Sequence, residues 1–180
     1  MKQFAYLAFG VMIIATLACS LTSSFQESNA PSSNPSLGND SDTKNSALVN
    51  VYDPARNPAD DLNQAIVLAQ KENKRIMLEL GGDWCIWCRH MDEFYLTHAN
   101  ILEYRAKNYV LVKINFSDKN SNVKFLSQFP EAAGYPHIYI LDSDGTFLHS
   151  QNTADLEDGA DSYVPEVFMA FLRKWAPIPK

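Results

Sequence analysis

Residues 75–91 read Arg-Ile-Met-Leu-Glu-Leu-Gly-Gly-Asp-Trp-Cys-Ile-Trp-Cys-Arg-His-Met. The first six form a short apolar run of the kind buried on both faces of a sheet. Gly81-Gly82-Asp83 breaks the run, and a helix is expected from about Cys85, with Cys88, Met91 and Phe94 on one face. Two cysteines at i and i+3 therefore sit on the first turn of a helix that follows a strand. The helix N-terminus supplies partial positive charge and unpaired N–H groups, which favour a thiolate over a thiol. The sulfurs can also close a small ring, so that one attacks a foreign disulfide and the other resolves the adduct. On this reading Cys85 is the exposed, activated thiol and Cys88, one turn in, the buried one. Two other uses of the pair stay open. It is also half of a zinc site, although there is no second such pair, and His90, His98, His137 and His149 show no ligand spacing. A purely structural bridge is the other alternative.

Working outward, Leu48–Tyr52 alternates weakly as a first strand, soon stopped by Pro54 and Pro58. Asp60–Lys74 places Leu62, Ile66 and Ala69 at helical spacing. Asn100 with Glu103 has the form of a capping box and starts a helical segment running to Lys107. Tyr109–Phe116 is the clearest strand, and Asn122–Phe129 holds at most a short helix. His137–Leu141 and Thr146–Ser150 form a hairpin around Asp142-Ser143-Asp144-Gly145, and Val164–Trp175 is a closing amphipathic helix. The order β-α-β-α-β-α-β-β-α describes an α/β sandwich with a mixed central sheet flanked by helices. The acidic run from Asp155 to Asp161 lacks the spacing of a calcium loop and reads as a solvated loop.

The chain has 180 residues, 46% of them hydrophobic and 20% charged, enough for one globular core. A formal net charge of −6 without any basic stretch argues against a nucleic-acid partner. Three cysteines leave one outside the pair, Cys19. Lys2 precedes an apolar run from Phe4 to Ala18, shorter than the ~20 residues of a membrane-spanning helix and of the form of an export signal. Residues 20–46 are rich in Ser and Asn and poor in apolar side chains, as in a flexible tether. The expected organisation is a signal over 1–18, the tether over 20–46 and a folded domain over 47–180.

Two resemblances sharpen these readings. Ala15-Thr16-Leu17-Ala18-Cys19 resembles the lipobox of bacterial lipoproteins, which implies lipidation of Cys19 and a membrane anchor on the extracytoplasmic, periplasmic side. Ser20 after Cys19 would suit an outer-membrane destination in a Gram-negative cell. Trp84-Cys85-Ile86-Trp87-Cys88, with Gly134-Tyr135-Pro136 before the His137 strand, resembles the thioredoxin superfamily, in particular its exported members with a WCxWC site. The resemblance covers residues 49 to 176 and implies a thioredoxin-like fold and thiol–disulfide exchange. By the same resemblance Cys85 is the nucleophile and Cys88 the resolving thiol. Pro136 is then a cis-proline facing the cysteines, the backbone of Tyr135 pairs with substrate, and Trp84 and Trp87 frame the site. Glu79 takes the place of a buried carboxylate that accepts the proton of Cys88.

Ile86-Trp87 departs from the Gly-Pro of typical thioredoxins and the Pro-His of strong oxidases. With no histidine between the cysteines, a reducing potential, at or below about −200 mV, is expected. Tyr135 and His137 replace smaller residues, and His90 and His137 are candidate modifiers of the sulfur chemistry. No dissociable cofactor is implied, since the dithiol carries two electrons. The implied partners are cysteine-containing exported proteins and a membrane thiol-redox protein for recycling. The competing classes are a copper-handling protein using Cys85, Cys88 and His137, and a non-catalytic binding module braced by the cysteines.

Overall fold

The structure is a computed structural model that describes residues 51–178. The expected signal, Cys19, the tether and most of the expected first strand lie outside the described residues. Val51 and Tyr52 are not in a strand. Instead the chain turns at once, with the Asp53 carboxylate accepting from Ala55 N–H at 2.8 Å and the Asp53 carbonyl from Arg56 N–H at 3.2 Å, while the Tyr52 side chain is buried.

Helix α1 spans Pro58–Glu72. It begins two residues before the expected start because Asn57 caps it, accepting from Ala59 N–H, and Pro58 takes the first helical position, where a missing N–H costs nothing. Asn73, in the left-handed region at φ 54°, ends it. Strand β1 follows over Arg75–Gly81, then α2 over Ile86–Thr97 and α3 over Ala99–Asn108. The expected capping box does not form. His98 ends α2 and begins α3, its carbonyl accepting from Ile101 and Leu102 N–H, so Asn100 already lies inside the first turn. Strand β2 is Tyr109–Asn115, α4 the single turn Val123–Leu126, β3 His137–Leu141, β4 Phe147–Asn152 and α5 Pro165–Lys174. The 142–145 turn closes with Gly145 at φ 88°, a conformation glycine adopts freely. Strand β4 runs two residues past the expected end. Thr153–Leu156 then makes a 3-10 turn capped by Asn152 within what reads as a solvated acidic loop.

The sheet order is β2-β1-β3-β4, with β1 parallel to β2 and antiparallel to β3, and β3 antiparallel to β4. This is the expected thioredoxin-like α/β architecture, a mixed four-stranded sheet flanked by helices. Both faces are covered, which is why RIMLEL and YVLVKIN read as continuous apolar runs. On one face Ile76, Leu78 and Leu80 pack with Val110, Val112 and Ile114 against Ala65 and Ala69 of α1. On the other, Met77, Ile138 and Ile140 pack against Met91, Phe94 and Tyr95 of α2, Ile101 of α3 and Phe168 and Leu172 of α5. Side chains alternate along a strand, so Glu79 shares the face of Met77, toward α2. Among the described residues no helix is long and apolar enough to cross a membrane.

Candidate active site

Strand β1 delivers the chain to Gly81, and Cys85 N–H closes a turn onto the Gly82 carbonyl at 3.0 Å. Cys85 is the N-cap of α2, with extended backbone at φ −83°, ψ 111°, and its sulfur accepts from Cys88 N–H at 3.1 Å. Cys85 and Cys88 are joined in a disulfide. The cap geometry holds the first sulfur over the opening turn, where unpaired N–H groups stabilise negative charge as it forms. Gly81 has to be bare: a Cβ there would lie 2.4 Å from Cys88 Sγ and 2.9 Å from Cζ and Oη of Tyr52.

Cys85 departs from expectation in one respect. It is 3% exposed, hardly more than Cys88 at 2%. Tyr52, Trp87 and Tyr135 pack on the disulfide, and the cap position folds the Cys85 side chain inward among them. An aromatic rim rises beside the pair. Trp84, 55% exposed, donates from Nε1 to the Phe116 carbonyl at 2.7 Å and meets the Tyr135 ring edge-on at 5.3 Å, while Tyr135 stacks on Phe116 at 5.0 Å. Trp87 turns the other way, onto Tyr163 and His90 at 5.7 and 5.2 Å, and its carbonyl accepts from the Tyr163 hydroxyl. It therefore supports the α2 side of the core as much as it borders the disulfide.

The Tyr135–Pro136 bond is cis, and the Pro136 carbonyl accepts from the buried Thr153 hydroxyl at 2.5 Å. His137 is buried, its Nε2 2.7 Å from Ser150 Oγ and its ring 4.8 Å from that of Tyr139. Strand alternation puts it on the face opposite Glu79. Burial and the neighbouring His149 lower its pKa to about 4. Among the described residues no three His, Cys, Asp or Glu side chains are placed to hold a metal ion, so Cys85, Cys88 and His137 do not assemble as a copper site.

Tyr52, which packs on the disulfide, leads to a buried polar group that the sequence reading held only in part. Glu79 is fully buried, and its Oε1 accepts from the Tyr52 hydroxyl at 2.6 Å. Lys113 Nζ stands 3.4 Å from the same oxygen and also pairs with Asp92 of α2, whose side chain is 48% exposed. Glu79 Oε2 is buried without a hydrogen-bond partner. Lys113 is directly opposite Glu79 in the parallel register of β1 and β2. Burial, followed by the Glu79 charge, pushes the Tyr52 phenol well above its ordinary range, so it remains a donor. The sequence reading missed Lys113, Tyr52 and Asp92. A lysine inside the apolar run YVLVKINF was the available signal, since a buried amine requires a partner.

Residues 57–143 match a family model described as thioredoxin-like. The match accords with the thioredoxin-like fold of the described residues. Over 86 residues, 48% of the chain, it is 29% identical to the thiol:disulfide interchange protein DsbD of Salmonella typhi, the match taking in 15% of that relative. Over 115 residues it is 24% identical to DsbD of Klebsiella pneumoniae, covering 64% of this chain and 18% of the relative. The chain thus matches less than a fifth of the length of these relatives. Among solved structures, a disulphide isomerase from Xylella fastidiosa superposes with a TM-score of 0.58 at 21% identity, over 70% of this chain and 97% of that one. The oxidised C-terminal domain of Neisseria meningitidis DsbD gives 0.50 at 15% identity, over 69% and 98%. The thioredoxin-like domain therefore shares its fold with proteins named for disulfide chemistry, and its Cys-x-x-Cys pair stands at the strand–helix junction.

Proposed function

We propose that the protein is an extracytoplasmic thiol–disulfide oxidoreductase that reduces disulfides of exported proteins. The observation that carries this reading is the Cys85–Cys88 disulfide at the N-cap of α2, packed on Tyr52, which is bonded to the buried Glu79 carboxylate. In the reduced protein the Cys85 thiolate attacks one sulfur of a substrate disulfide, forming a mixed disulfide and expelling the other sulfur as a thiolate. Cys88 then gives its proton to Glu79 and attacks Cys85. The Cys85–Cys88 bond forms as the mixed disulfide breaks, and the second substrate sulfur leaves and takes up a proton. Two electrons pass from the protein to the substrate, and the dithiol pair needs no dissociable cofactor.

Pro136 and the Tyr135 backbone position the substrate chain, and the Trp84–Tyr135 rim gives it an apolar border. The lipobox-like run ending at Cys19 supports a lipid anchor, with residues 20–46 as a tether that lets the domain reach its partners. A membrane thiol-redox protein returns the oxidised pair to the dithiol. The likeness to DsbD, a thiol:disulfide interchange protein, supports such a relay.

The test uses the full chain in the membrane. Cys88→Ser is expected to trap mixed disulfides with exported proteins, identified by mass spectrometry after non-reducing gels, and Cys85→Ser to trap far fewer. Trapping by neither variant would refute the exchange reading, and the reverse pattern would exchange the roles of the two sulfurs. In the same preparation Cys19→Ala is expected to move the protein out of the detergent phase. Unchanged partitioning would refute the anchor.

A further inference from the structure

Both donors that reach the Glu79 carboxylate meet on one oxygen. Tyr52 Oη is 2.6 Å from Oε1 and Lys113 Nζ 3.4 Å from the same atom, while Oε2 is buried and unpartnered. An orphaned oxygen of a fully buried carboxylate is costly and needs a reason. Tyr52 is also in the cluster of the two cysteines. A Cβ on Gly81 would stand 2.4 Å from Cys88 Sγ and 2.9 Å from Tyr52 Oη, so both atoms border the same small space beside Gly81. The segment carrying Tyr52 precedes the part of the chain that matches the family model.

We infer that Tyr52 is a positioning residue for the resolving step: its hydroxyl fixes Oε1 of Glu79, so that Oε2 stays free to take the proton of Cys88. This rests on the exchange reading above. A hydrogen bond donated to a carboxylate favours the charged form, the form able to accept that proton. The phenol keeps its own proton because burial and the carboxylate both oppose its ionisation. The charged groups at the carboxylate are Lys113 of β2, with Asp92 of α2 behind it, and Cys88 of α2 shares a cluster with Tyr52. Tyr95 of α2 and Tyr163, just before α5, also feel its charge. From β3 the residue opposite Glu79 is Ile138, which does not titrate. Among these the Tyr52 hydroxyl is the neutral group bonded directly to Glu79.

The experiment reacts the reduced protein with oxidised glutathione and follows, by acid quench and mass spectrometry, first the Cys85–glutathione mixed disulfide and then its resolution, between pH 5 and 9. Tyr52→Phe keeps the ring and removes only the hydroxyl. It is expected to shift the acidic limb of the resolution rate upward by about one pH unit, a roughly tenfold slowing on that limb, with mixed disulfide accumulating. Replacement of Tyr52 by 3,5-difluorotyrosine, a stronger donor of nearly the same shape, is expected to move the limb downward. In a Glu79→Gln background, Tyr52→Phe should add nothing. A Tyr52→Phe profile that coincides with wild type would overturn the inference, as would an effect of equal size in the Glu79→Gln background. If Tyr52→Phe failed to fold, the direction of the fluorinated variant would decide alone. A wild-type protein that formed no mixed disulfide at any pH would overturn the exchange reading and the inference with it. Normal wild-type turnover with an unmoved Tyr52→Phe limb would refute the inference alone.

Discussion

Gly81→Ala places one methyl group between the sulfur chemistry and the buried hydroxyl beneath it. Non-bonded heavy atoms settle at about 3.5–4.0 Å. The new Cβ would stand 2.4 Å from Cys88 Sγ and 2.9 Å from Tyr52 Cζ and Oη, too close by about 1 Å to the sulfur. Overpacking of this kind in a filled interior costs about 1–3 kcal/mol, a fall of about 4–12 °C in melting temperature for a domain of this size. The cost should depend on redox state. In the oxidised protein Cys88 Sγ is bonded to Cys85 and cannot rotate away. In the dithiol it is free to change rotamer, and only the conflict with Tyr52 remains. The alanine therefore penalises the disulfide form more, and the potential becomes more oxidising by about 30 mV for each 1.4 kcal/mol of difference. If most of the penalty is specific to the oxidised form, a rise of about 20–60 mV follows. Melting curves of both forms, with equilibration of the Cys85–Cys88 pair against glutathione, measure the two sides of one thermodynamic cycle. Equal losses of stability in the two forms with an unmoved potential would refute the reasoning, and a wild-type potential near −120 mV would refute the reductase assignment.

Two further perturbations test the buried charges. Lys113→Met removes the cation beside a fully buried carboxylate and should destabilise by about 3–5 kcal/mol in urea titrations, whereas Glu79→Gln with Lys113→Met should recover most of that; a single variant as stable as wild type would show that the pair carries no stability. His137, with its pKa lowered to about 4 against about 6.5 in an unfolded chain, favours the folded state when neutral, so its contribution is whole above pH 6.5 and is lost as pH falls toward 4. His137→Gln should flatten that acid dependence, worth as much as about 3 kcal/mol, and a slope of stability against pH equal to wild type in this window would refute the assignment.

The layout of strands and helices was legible because both faces of the sheet are covered. RIMLEL and YVLVKINF could hardly be anything but interior strands, and the Gly81–Asp83 break located the cysteine helix. Helix and strand ends were less legible, for local reasons. Asn57 caps α1 two residues before the expected start because Pro58 fits the next position, and His98 serves two helices at once, leaving Asn100 no cap to make. The expected strand around Leu48–Tyr52 could be tested only at its last two residues, where the turn at Asp53 takes over. The exposure of Cys85 was misjudged because residues distant in sequence cover it. Tyr52 lies 33 positions before it and Tyr135 50 after.

The charged part of the site shows why register matters more than composition. Glu79 and Lys113 each stand inside an apolar strand, and alone each would be an expensive residue to bury. The parallel pairing of β1 with β2 sets them opposite one another, and the cost of each is offset by the other, by Tyr52 and by half-exposed Asp92. A one-residue slip of β2 would turn Lys113 to the other face of the sheet, toward α1, leaving Glu79 with Tyr52 alone. The same pairing that sets Lys113 beside Glu79 therefore also disfavours misregistered sheets. For that reason the Lys113 and Glu79 variants should be compared both for stability and for exchange. In the double variant the stability and the chemistry should separate, the first largely restored and the second still lost.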